Sequence, residues 1–386
     1  MEIYVNLFAA VIAVYCLITT LLNLRFLKGF QQFTEKEVLD EEALVSILIP
    51  ARDESSSIEM CLQSLSGQTY RNLEILVLDD RSTDNTFDVV NIYGKIDSRV
   101  KVIKGSDLES GWIGKHWACH QLSGLASGDY LLFVDADTSL RPEAIRTAKI
   151  LSSSQNNDLV TLMPYRSKTC VLEYFLFPFI DWIIVSWLPL KLSQKLKISF
   201  MSASFGQFMF FRRKAYSGCG GHEAVKDIPT DDMELGRRVK RTGFGWGLYD
   251  GVNLVETTSY SSSIETLLGI SRSIFPALSH SFITLILFSV CLMGLGFYPI
   301  YFIFTNLLLD YSHIGTDLGL AIVAFISILI SWGMVCRSFS HGILSVPLYP
   351  LSIALMILAA FYSMVSYTVG FTAWKGRAVK VKKVRL

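Results

Sequence analysis

Long stretches without charged residues, near both ends of the chain, constrain its structure more than any other feature. Val5 to Leu24 is about twenty uncharged residues long, enough for an α-helix to cross the hydrocarbon core of a bilayer. Backbone groups inside a bilayer need partners within their own segment, so such runs fold as helices. Three further apolar runs follow residue 275: Phe282–Leu309, Leu318–Val335 and Ile343–Phe371. We therefore predict an N-terminal transmembrane anchor (1–27) and C-terminal membrane segments (274–372).

The residues that flank the first run predict its orientation. A secretory signal peptide carries basic residues before its apolar stretch, whereas here Arg25 and Lys28 follow the run and none precedes it. Basic residues concentrate on the cytoplasmic side of membrane spans. We therefore expect an uncleaved anchor, a cytoplasmic domain after it, and a multi-pass protein of the cell membrane.

The basic tail, residues 373–386, leaves the topology open. From Lys375 onward it carries six Lys or Arg residues and no acid. Three crossings after a cytoplasmic domain would place this tail outside, against the positive-inside rule, so one apolar run would be a hairpin or lie flat in the interface. The tail would either bind anionic headgroups or serve only as a topology signal.

Composition excludes some classes of protein. Of the 386 residues, 35 are Lys or Arg and 34 are Asp or Glu, so the chain lacks the basic excess of a nucleic-acid binder. The seven cysteines show no paired spacing, which favours buried thiols over disulfides or a zinc site. No nucleic-acid partner is expected.

The central region, residues 44–265, has the composition of a folded α/β domain. Val45–Ile49, Glu74–Leu78 and Tyr130–Val134 are short β-branched and leucine-rich runs, each followed by polar residues and a helix-like stretch. This alternation is typical of βαβ units around a mostly parallel, buried sheet. Within the domain, Glu173–Leu190 is apolar but interrupted by two prolines and Asp181. An interfacial or acceptor-facing helix is favoured there over an ordinary core helix.

Polar residues follow two of the predicted strands. The first strand ends in Pro-Ala-Arg-Asp-Glu at residues 50–54, and the second in Asp-Asp-Arg-Ser-Thr-Asp-Asn-Thr at 79–86. Ligands of open α/β sheets bind at the carboxyl ends of strands, so these residues mark a binding crevice. Thr83 and Asp84 have an alternative role as helix caps. Asp79 and Asp80 repel each other unless a bound group neutralises them.

The third strand is followed by Asp135 and Asp137. Residues two apart on a strand point to the same side, so both carboxylates are expected to face one point. Such a pair can hold a hard divalent cation together with phosphate oxygens. We therefore predict a metal site for Mg2+ or Mn2+ that compensates the charge of a leaving diphosphate.

Asp232 is the candidate catalytic base. It lies in Thr-Asp-Asp at residues 230–232, at the start of a helix predicted to run to Arg241. Thr230 or Asp231 could serve only as the N-cap, but a cap does not account for Asp232. Direct displacement at a sugar needs one carboxylate to accept the proton of the acceptor hydroxyl.

These four motifs, in this order, resemble the family 2 glycosyltransferases with the GT-A fold, over roughly Val45 to Arg272. The resemblance implies inverting transfer from a nucleotide-sugar, expected to be a UDP-sugar. By matching position it implies that Pro50, Arg52, Glu54 and Asp80 contact the nucleotide, with Asp79 close by. It also implies that Asp135 and Asp137 hold the metal and that Asp232 is the base.

Further segments are similar to bacterial carotenoid glucosyltransferases of the diaponeurosporenoate or chlorobactene kind. They are Gly-Trp-Ile-Gly-Lys at 111–115, Ser-Phe-Gly-Gln at 204–207, Gly-Gly-His at 220–222 and Trp-Lys-Gly-Arg at 374–377. Lys115 would offset diphosphate charge, the alternative being a solvated loop lysine. His222 would line the acceptor site or be an ordinary turn residue.

One departure from the family pattern argues against polymer synthesis. Processive members carry Gln-x-x-Arg-Trp after the base, and this chain has Gly-Ile-Ser-Arg-Ser at residues 269–273, so only Arg272 survives. Arg272 would contact the diphosphate or mark the membrane interface.

The sequence thus predicts transfer of a hexose, with glucose the first choice, from a nucleotide-sugar to a membrane lipid. A carotenoid is the first expectation for the acceptor; a hopanoid, ceramide, diacylglycerol or polyprenyl phosphate is the alternative. A non-catalytic nucleotide-sugar-binding scaffold is the alternative from another class. A transporter is disfavoured because charged residues do not recur within the apolar runs.

Overall fold

The computed structural model describes residues 2–34, 43–258, 260, 262–309, 315–370, 373–374 and 377–378. The helices are α1 Glu2–Thr34, α2 Ile58–Ser66, α3 Thr86–Ile96, α4 Gly114–Leu125, α5 Ala144–Ser154, α6 Glu173–Trp187, α7 Leu190–Lys195, α8 Arg213–Gly218, α9 Asp231–Arg241, α10 Ser263–Ala277, α11 Phe282–Gly296, α12 Tyr298–Leu309, α13 Thr316–Ser338 and α14 Tyr349–Val369. The strands are β1 Val45–Ala51, β2 Leu73–Asp79, β3 Val100–Lys104, β4 Tyr130–Val134, β5 Thr138–Leu140, β6 Leu159–Arg166, β7 Phe208–Arg212, β8 Trp246–Thr257, β9 Ala373–Trp374 and β10 Arg377–Ala378.

An eight-stranded sheet forms the centre of the α/β domain, in the order β3-β2-β1-β4-β7-β6-β8-β5. The β3-β2-β1-β4 half is entirely parallel, and β6 and β8 are also parallel. Strand β7 runs antiparallel to both of its neighbours. The three predicted strands are β1, β2 and β4, and their nearly continuous burial is typical of a sheet covered on both faces. The predicted α/β fold is confirmed.

Among the residues that the structure describes, four helical stretches are long and apolar enough to cross a membrane. They span Glu2–Gly29, Phe282–Leu308, Thr316–Ser338 and Tyr349–Val369. The first C-terminal run is divided into α11 and α12 at Phe297. The helices enclose a shared apolar core, in which Trp182 of α6 packs on Trp332 of α13 with ring centroids 5.2 Å apart. The number of crossings stays a prediction, and most of the basic tail lies outside the described residues.

Helix α6 is packed among other helices. Nine of its residues are buried, among them Trp182 and Asp181. It packs against the candidate spans α1, α13 and α14. Neighbouring helices thus cover many of the apolar side chains that favoured an interfacial or acceptor-facing helix, and the position of α6 relative to a membrane stays a prediction.

Asn23, inside the first candidate span, joins α1 by hydrogen bonds to the end of α6 and to the chain that follows it. Its side-chain amide donates to the carbonyls of Val185 (2.8 Å) and Leu188 (2.7 Å), and its oxygen accepts from the backbone N–H of Leu190 (2.9 Å). A buried amide with three satisfied partners fixes the register between two helices. The end of α1 is thereby held against the α/β domain.

A buried charge cluster joins the sheet, α6 and the loop after α13. Asp181 accepts from the Arg166 guanidinium at 2.8 Å and lies 2.8 Å from Nε2 of His341. All three side chains are under one-tenth exposed. Arg166 also lies over the rings of Phe177 and Phe205. The cluster ties α6 and the loop after the candidate span α13 to strand β6 of the α/β domain.

Replacing Asp181 should destabilise the protein strongly. Asp181→Asn leaves Arg166 buried without its counter-charge, and breaking a buried pair in this way costs about 3–5 kcal/mol. We expect a large fall in the unfolding midpoint in detergent, measured by denaturation monitored through tryptophan fluorescence. Glu256→Gln is the control: it removes the exposed Arg141–Glu256 pair and should change stability by about 1 kcal/mol or less. Equal midpoints for the two variants would contradict the assignment.

Candidate functional site

The carboxyl ends of β1, β2 and β4 meet at one edge of the sheet. Ala51, the last residue of β1, pairs with Asp79, the last residue of β2, and Leu48 pairs with Phe133 of β4. Parallel neighbours in this register place the residues that follow each strand side by side. The predicted binding edge therefore brings together the segments that begin at Pro50, Asp79 and Asp135.

The loops after β1 and β2 are bound to each other. Asp53 Oδ1 accepts from the backbone N–H of Thr83 at 2.6 Å, and the N–H of Asp53 donates to Ser82 Oγ at 3.0 Å. Asp53 and Arg81 have φ values of 53° and 59°. Non-glycine residues at positive φ concentrate at functional sites, where surrounding contacts hold the strained backbone. These loops form a pre-shaped rim for a ligand.

Asp84 organises this rim and does not act as an N-cap. Asn85 occupies the cap position of α3 without a side-chain cap bond. One carboxylate oxygen of Asp84 accepts from Thr86 N (3.0 Å), and the other accepts from Ser55 N (3.0 Å). Burial raises the pKa of Asp84, but these hydrogen bonds outweigh it and hold the pKa well below its usual range. The charge of Asp84 therefore stabilises the conformation of these loops.

Asp79 and Asp80 are buried beside Arg52. The Arg52 guanidinium donates to the backbone carbonyl of Asp80 at 2.9 Å and lies 3.9 Å from its carboxylate. Asp79 Oδ1 is buried without a hydrogen-bond partner among the described residues. A buried oxygen of this kind is suited to a donor group on a ligand.

A cavity of about 220 Å3 opens next to this edge. It brings together four of the predicted site residues: Lys115, Asp135, Asp232 and Arg272. Pro50, Arg52, Glu54, Asp79, Asp80 and Asp137 are not among its lining residues and lie at the adjoining strand ends. Carboxylates from distant parts of the chain thus converge on one cavity.

Lys115 is the cation nearest the predicted metal ligands. Its Nζ lies 2.5 Å from Asp135 Oδ1. Burial by itself lowers the pKa of Lys115, but the carboxylates of Asp135 and Asp231 outweigh it and raise the pKa. Lys115 therefore stays charged at neutral pH, and the alternative of a solvated loop lysine is wrong.

The prediction that Asp135 and Asp137 lie on one face of a strand is wrong. Strand β4 ends at Val134, so Asp135 follows the strand and Asp137 lies in the turn before β5, not on one strand face. Burial, together with the charges of Asp135 and Glu54, raises the pKa of Asp137 to about 7. A buried carboxylate with so little compensating charge is suited to a cation.

Asp232 also lines the cavity, from the first turn of α9. Its carboxylate accepts from Met233 N at 2.7 Å and from Gly206 N at 3.2 Å. Burial first, and then the charge of Asp231, raise the pKa of Asp232 to about 7. A carboxylate with this pKa can accept a proton at neutral pH and release it again.

Two buried histidines hold Asp231, a pair that sequence reasoning missed. Nε2 of His116 is 3.4 Å from one carboxylate oxygen and Nε2 of His222 is 3.5 Å from the other. Nδ1 of His222 is 2.8 Å from the Tyr216 hydroxyl. Burial lowers the pKa of His222 despite the opposing effect of Asp231. His222 is thus a structural partner of Asp231 and not one of the cavity-lining residues.

The cap alternative is correct for the position of Thr230 but not for Asp231. Thr230 occupies the N-cap position of α9 without a side-chain cap bond. Asp231 begins the helix, and its carboxylate faces the histidines.

The remaining wall of the cavity comes from the membrane side. Gly269, Arg272 and Ser273 of α10 line it together with Tyr367 of α14. The Tyr367 hydroxyl donates to the carbonyl of Arg272 at 2.8 Å. A Cβ on Gly269 would lie 2.2 Å from the Tyr260 ring, so glycine lets this ring pack into the wall. No local motif marks Tyr260 or Tyr367 in the sequence.

The donor set fits a divalent cation shared with a ligand. Among the described residues no cluster of three or more His, Cys, Asp or Glu side chains is arranged to hold a metal alone. Mg2+ is usually held by one or two carboxylates together with substrate phosphates. Asp137 and Asp135 supply two such carboxylates, and burial raises the pKa of each.

Comparison with known proteins identifies the domain. The family model "Glycosyl transferase family 2" matches residues 46–219. This part of the chain is thus similar to the family 2 glycosyltransferases. A 4,4'-diaponeurosporenoate glycosyltransferase of Staphylococcus haemolyticus is 27% identical over 248 residues, 64% of this chain and 64% of that protein. Its Staphylococcus aureus counterpart is 26% identical over 227 residues, 58% of each chain. The predicted resemblance is confirmed, and the match spans less than two thirds of either relative.

A solved structure supports the GT-A fold. A mannosyltransferase of Pyrobaculum calidifontis, in complex with GDP-Man and Mn2+, superimposes with a TM-score of 0.52. The match covers 93% of this chain and 98% of that one at 14% identity. At this identity the likeness shows the fold alone.

Proposed function

We propose that the protein transfers a hexose, with glucose the first choice, from a UDP-sugar to a membrane lipid. One observation carries this proposal: a single cavity is lined on one side by Asp135 and Asp232 and on the other by α10 and the candidate span α14. A water-soluble donor and a bilayer-resident acceptor can meet in such a cavity. The named activity of the staphylococcal relatives, a glycosyltransferase for 4,4'-diaponeurosporenoate, supports a carotenoid acceptor.

In this mechanism Asp232 acts on the acceptor. Its carboxylate takes the proton of the acceptor's hydroxyl or carboxyl group while that oxygen forms a bond to the anomeric carbon of the sugar. The bond from that carbon to the diphosphate oxygen breaks on the opposite face, and its electron pair leaves with the nucleoside diphosphate. The configuration at the anomeric carbon is therefore inverted.

Other residues bind and orient the donor. Pro50, Arg52, Glu54, Asp79 and Asp80, at the neighbouring strand ends, hold the nucleoside. Lys115 and Arg272 offset phosphate charge in the cavity. Asp135 and Asp137 would hold a Mg2+ or Mn2+ ion, which when bound neutralises the charge that develops on the leaving diphosphate.

A hopanoid, ceramide, diacylglycerol or polyprenyl phosphate is the alternative acceptor, and a non-catalytic scaffold is the alternative of another class. Purified protein in liposomes, with labelled UDP-glucose and lipid extract, separates them. A label that becomes extractable with lipid, one hexose heavier by mass, establishes transfer and identifies the acceptor. Donor binding without transfer or hydrolysis supports the scaffold.

Asp232→Asn should abolish most of the turnover while leaving the donor bound. Loss of a general base typically costs about 100- to 10,000-fold in rate, so kcat should fall by that order and the donor Kd should stay within about threefold. The measurement combines steady-state transfer with calorimetric titration of UDP. Asp88→Asn, at an exposed site on α3, is the matched control and should behave as wild type. Normal turnover by Asp232→Asn would remove it from the base role.

The pH dependence of transfer should show the effect of Asp231 on the pKa of the proposed base, Asp232. Because Asp232 must be ionised to act, kcat should rise with pH through about 7. Asp231→Asn removes the negative charge that raises the pKa of Asp232. The acid limb of the kcat profile should therefore move to lower pH. An unshifted limb in that variant would show that another group titrates.

Metal binding should depend on Asp137. We expect Asp137→Asn to weaken Mn2+ binding in the presence of UDP at least tenfold, because one of two carboxylate ligands is lost. Electron paramagnetic resonance of free Mn2+ measures this without turnover. Glu143→Gln, at an exposed position before α5, is the control and should retain wild-type affinity. Unchanged affinity in Asp137→Asn would place the metal elsewhere.

A further inference from the structure

The chain from Lys191 to Phe200 presents an unusual exposed surface. Three lysines, Lys191, Lys195 and Lys197, alternate with the exposed apolar side chains of Leu192, Ile198 and Phe200. Phe200 is 76% exposed. No acidic residue lies between Leu188 and Ala203. Large exposed apolar side chains are unfavourable on a surface that faces only water. Basic residues interleaved with large apolar ones suit an anionic membrane interface.

The segment lies at the level where the first candidate span reaches the bilayer surface. The backbone of Leu188 and Leu190, directly before it, is bound by Asn23 of α1. Asn23 is roughly 27 Å along the helix from Val5, close to the thickness of a hydrocarbon core. Arg25 and Lys28 follow, and both are exposed. The segment therefore leaves α1 where apolar residues give way to charged ones.

The inner side of the segment is fastened to the helix that carries the proposed base. The ammonium of Lys240, a buried residue near the end of α9, donates to the carbonyls of Ser193 (2.7 Å) and Met201 (2.5 Å). Lys197 donates to the carbonyl of Gly243, just beyond α9, at 2.6 Å. Asp231 and Asp232 are the first two residues of the same helix. Because these hydrogen bonds join the two elements, a fixed orientation of the segment also fixes the orientation of α9.

From this arrangement we propose that the Lys191–Phe200 segment docks on the anionic lipid surface beside α1 and fixes the orientation of α9. Ile198 and Phe200 insert among the lipids at the level of the headgroups. Lys191 and Lys195 bind lipid phosphates, while Lys197 holds the segment to the protein. Charge complementarity and continuity with the span favour lipid over a protein partner. The inference rests on α1 crossing the bilayer and not on the sugar-transfer reaction.

Environment-sensitive fluorescence tests this inference in the full-length protein. An NBD probe is attached to a cysteine at position 200 (Phe200→Cys), with Cys170 and Cys291, the half-buried native thiols, replaced by serine. The protein is reconstituted in phosphatidylcholine vesicles with or without one-quarter phosphatidylglycerol. We expect blue-shifted emission and at least twofold quenching by lipids that carry a nitroxide near the headgroup.

Two further positions make the outcome decisive. Ile96→Cys on α3 starts from the same 76% exposure as Phe200 and should remain aqueous and unquenched. Phe8→Cys, 64% exposed on α1, should be quenched because it lies in the span. If position 200 behaves like position 96 while position 8 is quenched, the docking proposal is overturned. If a probe at position 8 is also unquenched, α1 does not cross the bilayer, and the docking proposal is overturned as well.

A charge reversal separates electrostatic docking from simple apolar insertion. Lys195→Glu should abolish the extra quenching at position 200 that phosphatidylglycerol produces, and 0.5 M salt should have the same effect in the parent protein. Lys95→Glu, at an exposed lysine on α3, is the matched control and should change nothing. Equal quenching in the presence and absence of phosphatidylglycerol would contradict the anionic part of the proposal.

Discussion

An excess of buried negative charge at one edge of the sheet is the constraint on which the site depends. The carboxylate of Asp231 lies beside two histidines, and Asp135 pairs with Lys115. Asp137 and Asp232 have no ion-pair partner among the described residues, and burial raises the pKa of each to about 7. The two carboxylates without such a partner are those to which the proposed mechanism assigns a cation and a proton. The electrostatics of the cavity thus match the chemistry proposed for it.

The sheet and the membrane helices together create the cavity. Parallel pairing of β1, β2 and β4 gathers the polar strand ends on one side. Helices α10 and α14 close the other side through the hydrogen bond between Tyr367 and the Arg272 carbonyl. Because α14 is itself apolar enough to cross a membrane, the acceptor side of the cavity adjoins the place where a lipid would lie. The buried Arg166–Asp181–His341 cluster holds these two halves in one arrangement.

Much of this organisation can be read from local sequence patterns. β-branched runs identify β1, β2 and β4, and polar motifs at their ends identify the binding edge. The pairing of Asp231 with His116 and His222 joins residues more than a hundred positions apart in one case, and no spacing rule predicts it. Trp182 packs on Trp332. In the sequence, the apolar face of α6 therefore resembles a membrane-facing surface, because the helix that covers it is distant in the chain. The same holds for Tyr260 and Tyr367, which reach the cavity only through tertiary packing.

The central claim is that separate carboxylates converge on one donor, with Asp232 facing the acceptor. Cryo-electron microscopy of the protein in nanodiscs, with UDP-glucose and Mn2+, tests it most directly. The account predicts metal density between the diphosphate and the Asp135–Asp137 turn, with the anomeric carbon directed towards Asp232 and the wall formed by Tyr367. A donor bound away from this edge, or a sugar whose leaving diphosphate lies on the Asp232 side, would contradict it.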